Sequence, residues 1–280
     1  MVKWIKIKKE VKRTPLYIVI LLAVVVTVGP LLWIVSTSVK SNKYLYSYPP
    51  QLISPESTIK GYQYLITKGH FGIAIFNSLV VSLVTTFIVL MLAGLAAYGF
   101  SRYKFKYKSI ILLVVLGTQM LPGVINIIPY FTMMARLNLL NTLTALYLIL
   151  AAINLPFAVW LLKGFFDSIP RSIDESALVD GANRLVVFFK IIVPLGAPGF
   201  VAAGVFSFLA SWNEFTLPLI LTSTTSKRVA TLALYLFKTP HQTNWAGVAA
   251  GSVMTMIPII VLFLYFNRYF VYGWKGAVKE

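Results

Sequence analysis

The sequence predicts an all-α, polytopic membrane fold with six transmembrane helices, and three observations predict it. Apolar residues make up 58% of the 280 positions and charged ones only 12%, at a mean hydropathy of +0.81, where an ordinary soluble domain carries about 25% charge. The charges are segregated, leaving uncharged windows at 14–39, 71–101, 109–135, 137–162, 191–213 and 239–267, each of 23 residues or more. A helix needs about 20 apolar residues to cross a hydrocarbon core of roughly 30 Å. Finally, Lys and Arg alternate between dense and sparse connections, 17 against 8, when the chain is folded across six spans. Lys/Arg-rich loops stay cytoplasmic, so both termini are expected in the cytoplasm of a multi-pass protein of the cell membrane.

The spans are placed near 16–37, 77–100, 109–133, 142–163, 197–219 and 247–269. The first follows the basic stretch Met1–Arg13 and is about twice as long as a signal-peptide core. No small-residue cleavage site follows it, so it reads as an uncleaved anchor. Two later spans carry runs of small residues, Ala93–Gly99 and Ala246–Ser252. Such faces let helix backbones approach closely, within one chain or between subunits. The external stretch 38–76, with Pro49, Pro50 and Pro55, reads as ordered coil with one short helix. The external stretch 220–246 is polar over Thr222–Arg228 and apolar over Leu232–Phe237 before Pro240. One helical membrane domain over 1–280 is expected, with its most unusual connection at about 164–196.

That cytoplasmic connection holds four of the eight acidic residues: Asp167, Asp174, Glu175 and Asp180. Ser172-x-x-Glu175 has the spacing of a capping box, and Asp174 and Glu175 sit where a helix dipole favours negative charge. Gly181 breaks the helix, and a second short helix runs through Lys190. Pro194 suits the first turn of the next helix, and Pro198 the start of the membrane span. The expected product is a short helical hairpin flat on the cytoplasmic face. Ser176, Ala177 and Ala182 give it a small-residue surface suited to a partner's groove; a plain re-entrant connector is the other reading.

Several function classes fall away. With no cysteine, disulfides, thiol catalysis and Cys-ligated metals are excluded. His70 and His241, the only histidines, lie far apart in external regions and read as solvated, so no metal site is expected. No predicted span holds a histidine and every aspartate lies in the cytoplasmic connection, against an intramembrane protease. Span centres without an ionisable relay fit a secondary transporter poorly. The chain has no G-x-x-x-x-G-K-[ST] loop, so any ATP hydrolysis belongs to another polypeptide. The basicity reads as topology, with attraction to anionic lipid as an addition, and not as nucleic-acid binding.

Within the membrane, Glu214 is the one acidic residue of a predicted span. It reads either as an interfacial carboxylate paired with a neighbouring helix, Lys227 or Arg228, or as a wall of a translocation path. Trp212 offers a ring to a sugar face or to the interface, and Asn213 lies between them. Gln119, Asn126 and Asn154 read as polar glue between helices.

Glu175-Ser176-Ala177-x-x-Asp180-Gly181-Ala182, followed by Phe188, Ile192, Pro194-Leu195 and Pro198, resembles the EAA signature of permease subunits of ABC importers. Ser176 stands where that family usually has Ala. Further stretches are similar to the MalG-like half of the maltose-type carbohydrate permeases: Pro30-Leu31-Leu32-Trp33, Ser36–Lys40, Asn77-Ser78-Leu79, Ala97-Tyr98, Ser211-Trp212-Asn213-Glu214-Phe215 and Gly276-Ala277-Val278-Lys279. The resemblance implies a type I ABC importer permease fold and a coupling helix that docks into the ATPase. It implies a second permease, two ATPase subunits and an external binding protein as partners, with ATP and Mg held by the ATPase and no cofactor on this chain. It implies sugar import by alternating access, with an external stretch 220–246 that reaches into the binding protein. Another solute, such as a glycerol phosphate, a peptide or an ion, is the alternative.

Overall fold

A computed structural model of the protein describes residues 14–67, 69–237 and 244–276, with side chains from 15 to 267 within those ranges. The basic stretch Met1–Arg13, Pro240, His241 and the ending Ala277-Val278-Lys279 lie outside the described residues. The regular elements among the described residues are helices, apart from one isolated antiparallel bridge between Lys40 and Ser57. The contacts divide the chain into two compact units. One holds the residues up to Gly69 with Leu236–Met256; the other holds His70–Tyr235 with the chain from Ile257.

In the first unit, α1 (Thr14–Ser38) carries Pro30 in its interior, which a membrane helix tolerates. The coil beyond it is tied by its own polar groups. The Thr58 N–H donates to the Val39 carbonyl at 2.7 Å, and the Ser38 and Tyr62 hydroxyls share a hydrogen bond of 2.8 Å. Lys40 is buried, with its ammonium on the Gln51 carbonyl and 4.3 Å from the centre of the Trp33 ring. A buried cation needs partners of this kind. The one short helix expected in 38–76 is α2 (Lys60–Thr67), beside a single turn at Asn42–Leu45. Of the Ala246–Ser252 run, Ala246, Ala249 and Ala250 are buried.

The second unit is built on α3 (Phe71–Arg102), α4 (Lys108–Gly117), α5 (Ile127–Arg136) and α6 (Leu143–Asp167). Next come α7 (Arg171–Val179) and α8 (Arg184–Val187), which continues through a wide π turn, Phe188–Ile192, to Leu195. Then follow α9 (Ala197–Trp212), α10 (Thr216–Leu221), α11 (Ala230–Leu236) and the last helix, α12 (Trp245–Gly276); Leu236 and the α12 residues up to Met256 belong to the first unit. Helices α3, α6 and α9 form the core in two clusters. Towards the Arg102 end of α3, Ala93, Ala97 and Tyr98 pack with Leu162, Phe166 and Phe188. Towards its start, Val81 packs with Leu146, Ile149, Leu217 and Leu232. The small-residue run Ala93–Gly99 thus makes internal contacts. At Gly94 an added Cβ would lie 2.9 Å from the Phe200 ring.

Among the described residues, four helices are long and apolar enough to cross a membrane, and up to six spans result when each of two bent pairs counts as one. The third predicted span, 109–133, is broken: its halves meet at 92°. Pro122 explains this, since it can neither continue the helical ladder nor leave Leu121 helical, and Leu121 is extended at ψ 129. The fifth, 197–219, stops at Trp212 and restarts at Thr216, while its entry from α8 turns by 79°.

Overpacking this core is a direct check on it. Gly94→Leu should destabilise the purified protein by roughly 1–3 kcal/mol, read as a lowered melting temperature in detergent; an unchanged melting temperature would contradict the packing of α3 on α9.

Candidate functional site

The cytoplasmic connection folds as two short helices around one glycine. Helix α7 closes with the Ala182 N–H on the Ala177 carbonyl at 3.0 Å and the Gly181 N–H on the Leu178 carbonyl at 3.1 Å. This is the paired closure of a Schellman end, which needs a left-handed residue, and Gly181 supplies it at φ +86. Among the described residues, nothing beyond its chain neighbours lies within 4 Å of a Cβ built there. Asn183 then caps α8, its side-chain oxygen accepting the Val186 N–H at 2.9 Å. Pro194 and Pro198 occupy the opening turns of their segments, as the sequence predicts.

The expected capping box does not form. Helix α7 begins at Arg171, after Pro170, with no side-chain cap. Ser172 therefore lies inside the first turn, where its carbonyl accepts the Ser176 hydroxyl at 2.8 Å. Pro170 stands directly before the helix, and the acidic residue of its first turn is Asp174, buried where Glu175 is exposed. Glu175, Ser176, Asp180, Gly181 and Pro194 are exposed, with Ala177 and Ala182 half-buried. Beside them stand Val179, 87% exposed, and Leu185, 62% exposed.

What holds this loop is a set of pairings between Arg102, Tyr98 and Ser101 of α3 and the loop's aspartates and carbonyls. Arg102, at the last turn of α3, donates from Nε to Asp174 Oδ2 at 2.8 Å and from Nη2 to Oδ1 at 3.2 Å. The same guanidinium reaches the carbonyls of Phe166 (2.9 Å) and Ile169 (3.2 Å) and the Ser101 hydroxyl (3.1 Å). The Tyr98 hydroxyl donates to Asp174 Oδ2 at 3.1 Å. Ser101 Oγ also donates to Asp167 at 2.7 Å, and Arg171 donates to the Ser101 carbonyl at 3.0 Å. Both side chains of the Arg102–Asp174 pair are under 10% exposed, at 6% and 8%. The outer surface of α7 is therefore free while its inner surface is joined to α3 and α6. Arg102 was legible only as one more basic residue of a topology signal.

The other end of α3 is also a clamp. The Asn77 amide donates to the Ser226 and Arg228 carbonyls at 2.9 and 2.8 Å, and the Ser78 hydroxyl accepts the Ala230 N–H at 2.8 Å. Asn141 Oδ1 accepts from the Ser223 N–H, the Thr224 N–H and the Thr224 hydroxyl at 3.0–3.1 Å. The polar arm 222–228 is thereby fixed, and α11 buries Leu232 and Ala233 instead of lying as an amphipathic helix on lipid.

Trp212, Asn213 and Glu214 separate into different environments. Trp212 is 3% exposed and stacks on Phe208 at 5.6 Å, so the structure corrects its reading as an open wall or interfacial anchor: its ring is core. Glu214, at the break after α9, accepts the Leu217 N–H at 3.0 Å, while its own carbonyl accepts the Thr231 hydroxyl. It caps α10 and forms no ion pair with Lys227 or Arg228 among the described residues. Asn213 is exposed. Two polar residues act as predicted glue, with Gln119 donating to the Ile153 carbonyl at 2.9 Å and Asn154 to Ser211 Oγ at 3.4 Å. Asn126 makes no side-chain cap.

Residues 89–274, which contain the loop and its Arg102 clamp but not Asn77 or Ser78, match the family described as binding-protein-dependent transport system inner membrane component. The chain belongs to that family. It is 31% identical to the trehalose/maltose transport system permease MalG of Thermococcus litoralis, across 97% of this chain and 99% of the relative. It is 32% identical to the sulfoquinovosyl glycerol permease SmoH of Agrobacterium fabrum, across 87% and 86%. Its fold matches a chain of a solved bacterial ABC transporter that imports alginate, with a TM-score of 0.79 at 20% identity over 94% and 98% of the two chains. The protein is thus a multi-pass membrane permease of the ABC importer class.

The pair and the exposed acid make opposite predictions. Asp174→Ala leaves a buried guanidinium unpaired and should cost about 3–5 kcal/mol, lowering the melting temperature or abolishing purification. Glu175→Ala should change stability by less than about 0.5 kcal/mol. Equal effects of the two in thermal melts would contradict the assignment.

Proposed function

We propose that this permease imports a sugar or oligosaccharide as one half of a two-permease channel, driven by ATP that a separate subunit hydrolyses. The observation that carries the reading is the 171–195 loop, whose outer surface is free and whose inner surface is locked to the transmembrane core. The free surface around Gly181 docks into an ATPase subunit, with Glu175, Ser176, Ala177, Asp180, Ala182 and Pro194 forming or supporting the contact. An apolar, exposed helix end such as Val179 fits a groove in a protein better than it fits water. The arm 222–236 faces a binding protein on the other side of the membrane, and both termini are cytoplasmic.

Two further observations support the reading. Carbohydrate import accords with relatives whose names specify trehalose/maltose and sulfoquinovosyl glycerol. Pairing with a second permease accords with the broken third span, where Met120, Leu121, Val124 and Ile125 are exposed around the Leu121–Pro122 break between two 3-10 turns. Irregular backbone at membrane depth is tolerated where protein covers it or a water-filled path runs beside it. Asn213 and Glu214, at the second break, are the residues placed to line that path.

Mechanistically, closure of two ATPase subunits draws the docked loops together, and the loop of this chain carries α3 and α6 with it because Arg102 joins all three. Binding of loaded binding protein outside then favours closure inside by the same factor by which closure favours binding.

The test exploits Gly181. A side chain there meets nothing within the chain and costs only about 1–2 kcal/mol of left-handed strain. Gly181→Asp should leave the permeases folded while the ATPase no longer co-purifies and sugar-stimulated ATP hydrolysis in vesicles is lost. Full retention of both would show that the loop is not the docking site. Topology is checked in the same system, since the chain has no cysteine of its own. Asn183→Cys should label only from the cytoplasm and Thr224→Cys only from outside; labelling of Asn183→Cys from outside would contradict the orientation.

A further inference from the structure

Helix α3 is a single unbroken element of 32 residues, about 48 Å long at 1.5 Å per residue. It has no internal proline. Each of its ends is hydrogen-bonded to a different irregular segment, and those two segments are the surfaces assigned above to different partners. At its start, Asn77 and Ser78 hold the backbone of Ser226, Arg228 and Ala230. At its end, Tyr98 and Arg102 hold the Asp174 carboxylate, and Arg102 also holds the carbonyls of Phe166 and Ile169 that lead into α7. The bonds at both ends are multiple and directional, so neither segment can move far without either moving α3 or breaking several buried contacts. Between the clamps, Val81, Ser82, Thr85, Val89, Ala93 and Ala97 are buried along one face, which keeps the helix from bending independently of its neighbours.

We propose that α3 is the strut linking the external arm to the cytoplasmic loop, and that Asn77 and Arg102 are the positioning residues that attach its two ends. This rests on the docking roles proposed for the loop and the arm. Neither residue touches substrate or nucleotide. Asn77 supplies two donors to two backbone carbonyls of the arm, Ser226 and Arg228, a task that a hydroxyl or a methyl group cannot duplicate. Arg102 supplies a planar fork that matches both oxygens of Asp174 while its remaining donors reach α6, which an ammonium cannot do at once. A coupling path is shown only by two sites biasing one element, so the test measures coupling itself.

The assembled complex, with its ATPase subunits in lipid nanodiscs, is titrated with binding protein in two states: without nucleotide, and with a non-hydrolysable ATP analogue and Mg. The ratio of the two affinities is the coupling factor, expected in the wild type within the usual range of about 5–150-fold. Arg102→Lys and Asn77→Ala should each bring the ratio to within about twofold of one. ATPase co-purification and the nucleotide-free affinity should stay at wild-type values. The double variant should be no worse than the more affected single one, because both cut the same link. Where Arg102→Lys assembles poorly, the apolar pair Arg102→Met with Asp174→Leu keeps the packing without the directional bonds, and the same collapse of the ratio is expected. Assembled variants that keep the wild-type ratio overturn the strut alone. A wild-type ratio of one overturns the docking reading and the strut with it. Loss of ATPase from every variant of the Arg102 pair, with an unchanged ratio in Asn77→Ala, would make the pair an anchor only and would also overturn the proposal.

Discussion

Taking a guanidinium and a carboxylate out of water costs several kcal/mol per ion, and the cost is recovered only when the geometry is good and every remaining donor finds a partner. Arg102 meets that condition: two donors on Asp174, others on Phe166, Ile169 and Ser101, at a helix C-terminus where positive charge is favoured. Much of the cytoplasmic end of the protein follows from this one group. It brings together the end of α3, the end of α6 and the inner face of α7. Once α7 is oriented by Asp174, the Schellman closure at Gly181 and the Asn183 cap turn the chain into α8. The outward side of the loop is then what remains: Glu175, Ser176, Val179 and Gly181, none of them needed for the fold in the way Asp174 is. A partner surface can in this way evolve independently of the scaffold that presents it.

The membrane part obeys a different constraint. In lipid the backbone must satisfy itself, so unbroken helices are the default and interruptions are meaningful. Two of the interruptions among the described residues, at Leu121-Pro122 and at Asn213–Phe215, are handled differently. The second is closed locally, with Glu214 capping α10 and Thr231 bonding its carbonyl. The first leaves apolar side chains exposed around the bend, as expected of a surface completed by another subunit. On the arm side, amide side chains do what Arg102 does on the loop side. Asn77 and Asn141 each bond several groups of the 221–228 segment, so a polar connection whose only regular element beyond α10 is one 3-10 turn is held in one place.

Most of the fold was legible in the sequence because it rests on one-dimensional signals. Uncharged windows located the spans, and a glycine between two short apolar-periodic stretches located the Gly181 turn. The breaks were less legible, since Pro122 sits in a run as apolar as its neighbours and only its missing N–H marks it. The capping-box spacing Ser172-x-x-Glu175 misassigned the start of α7, which has no side-chain cap. Asp174 and Glu175 are adjacent and equally acidic, and only the three-dimensional position of Arg102, 72 residues earlier, decides which one is buried. Trp212 failed for the same reason: an indole near a span end looks alike whether it meets lipid, sugar or Phe208. Pairings across long sequence separations leave no trace in a single sequence, and the clamps at both ends of α3 are of that kind.

The most direct measurement of the central claim is a contact between the loop and its ATPase. The chain lacks cysteine, so Val179→Cys, at the most exposed apolar position of the loop, gives a unique attachment point for a short thiol-reactive cross-linker when the partners are made cysteine-free except for one site in the ATPase groove. The account predicts a cross-linked permease–ATPase product from Val179→Cys and none from Thr224→Cys on the opposite arm. A Val179→Cys protein that assembles and transports normally but yields no ATPase adduct, or reacts with reagent confined to the outside, would contradict it.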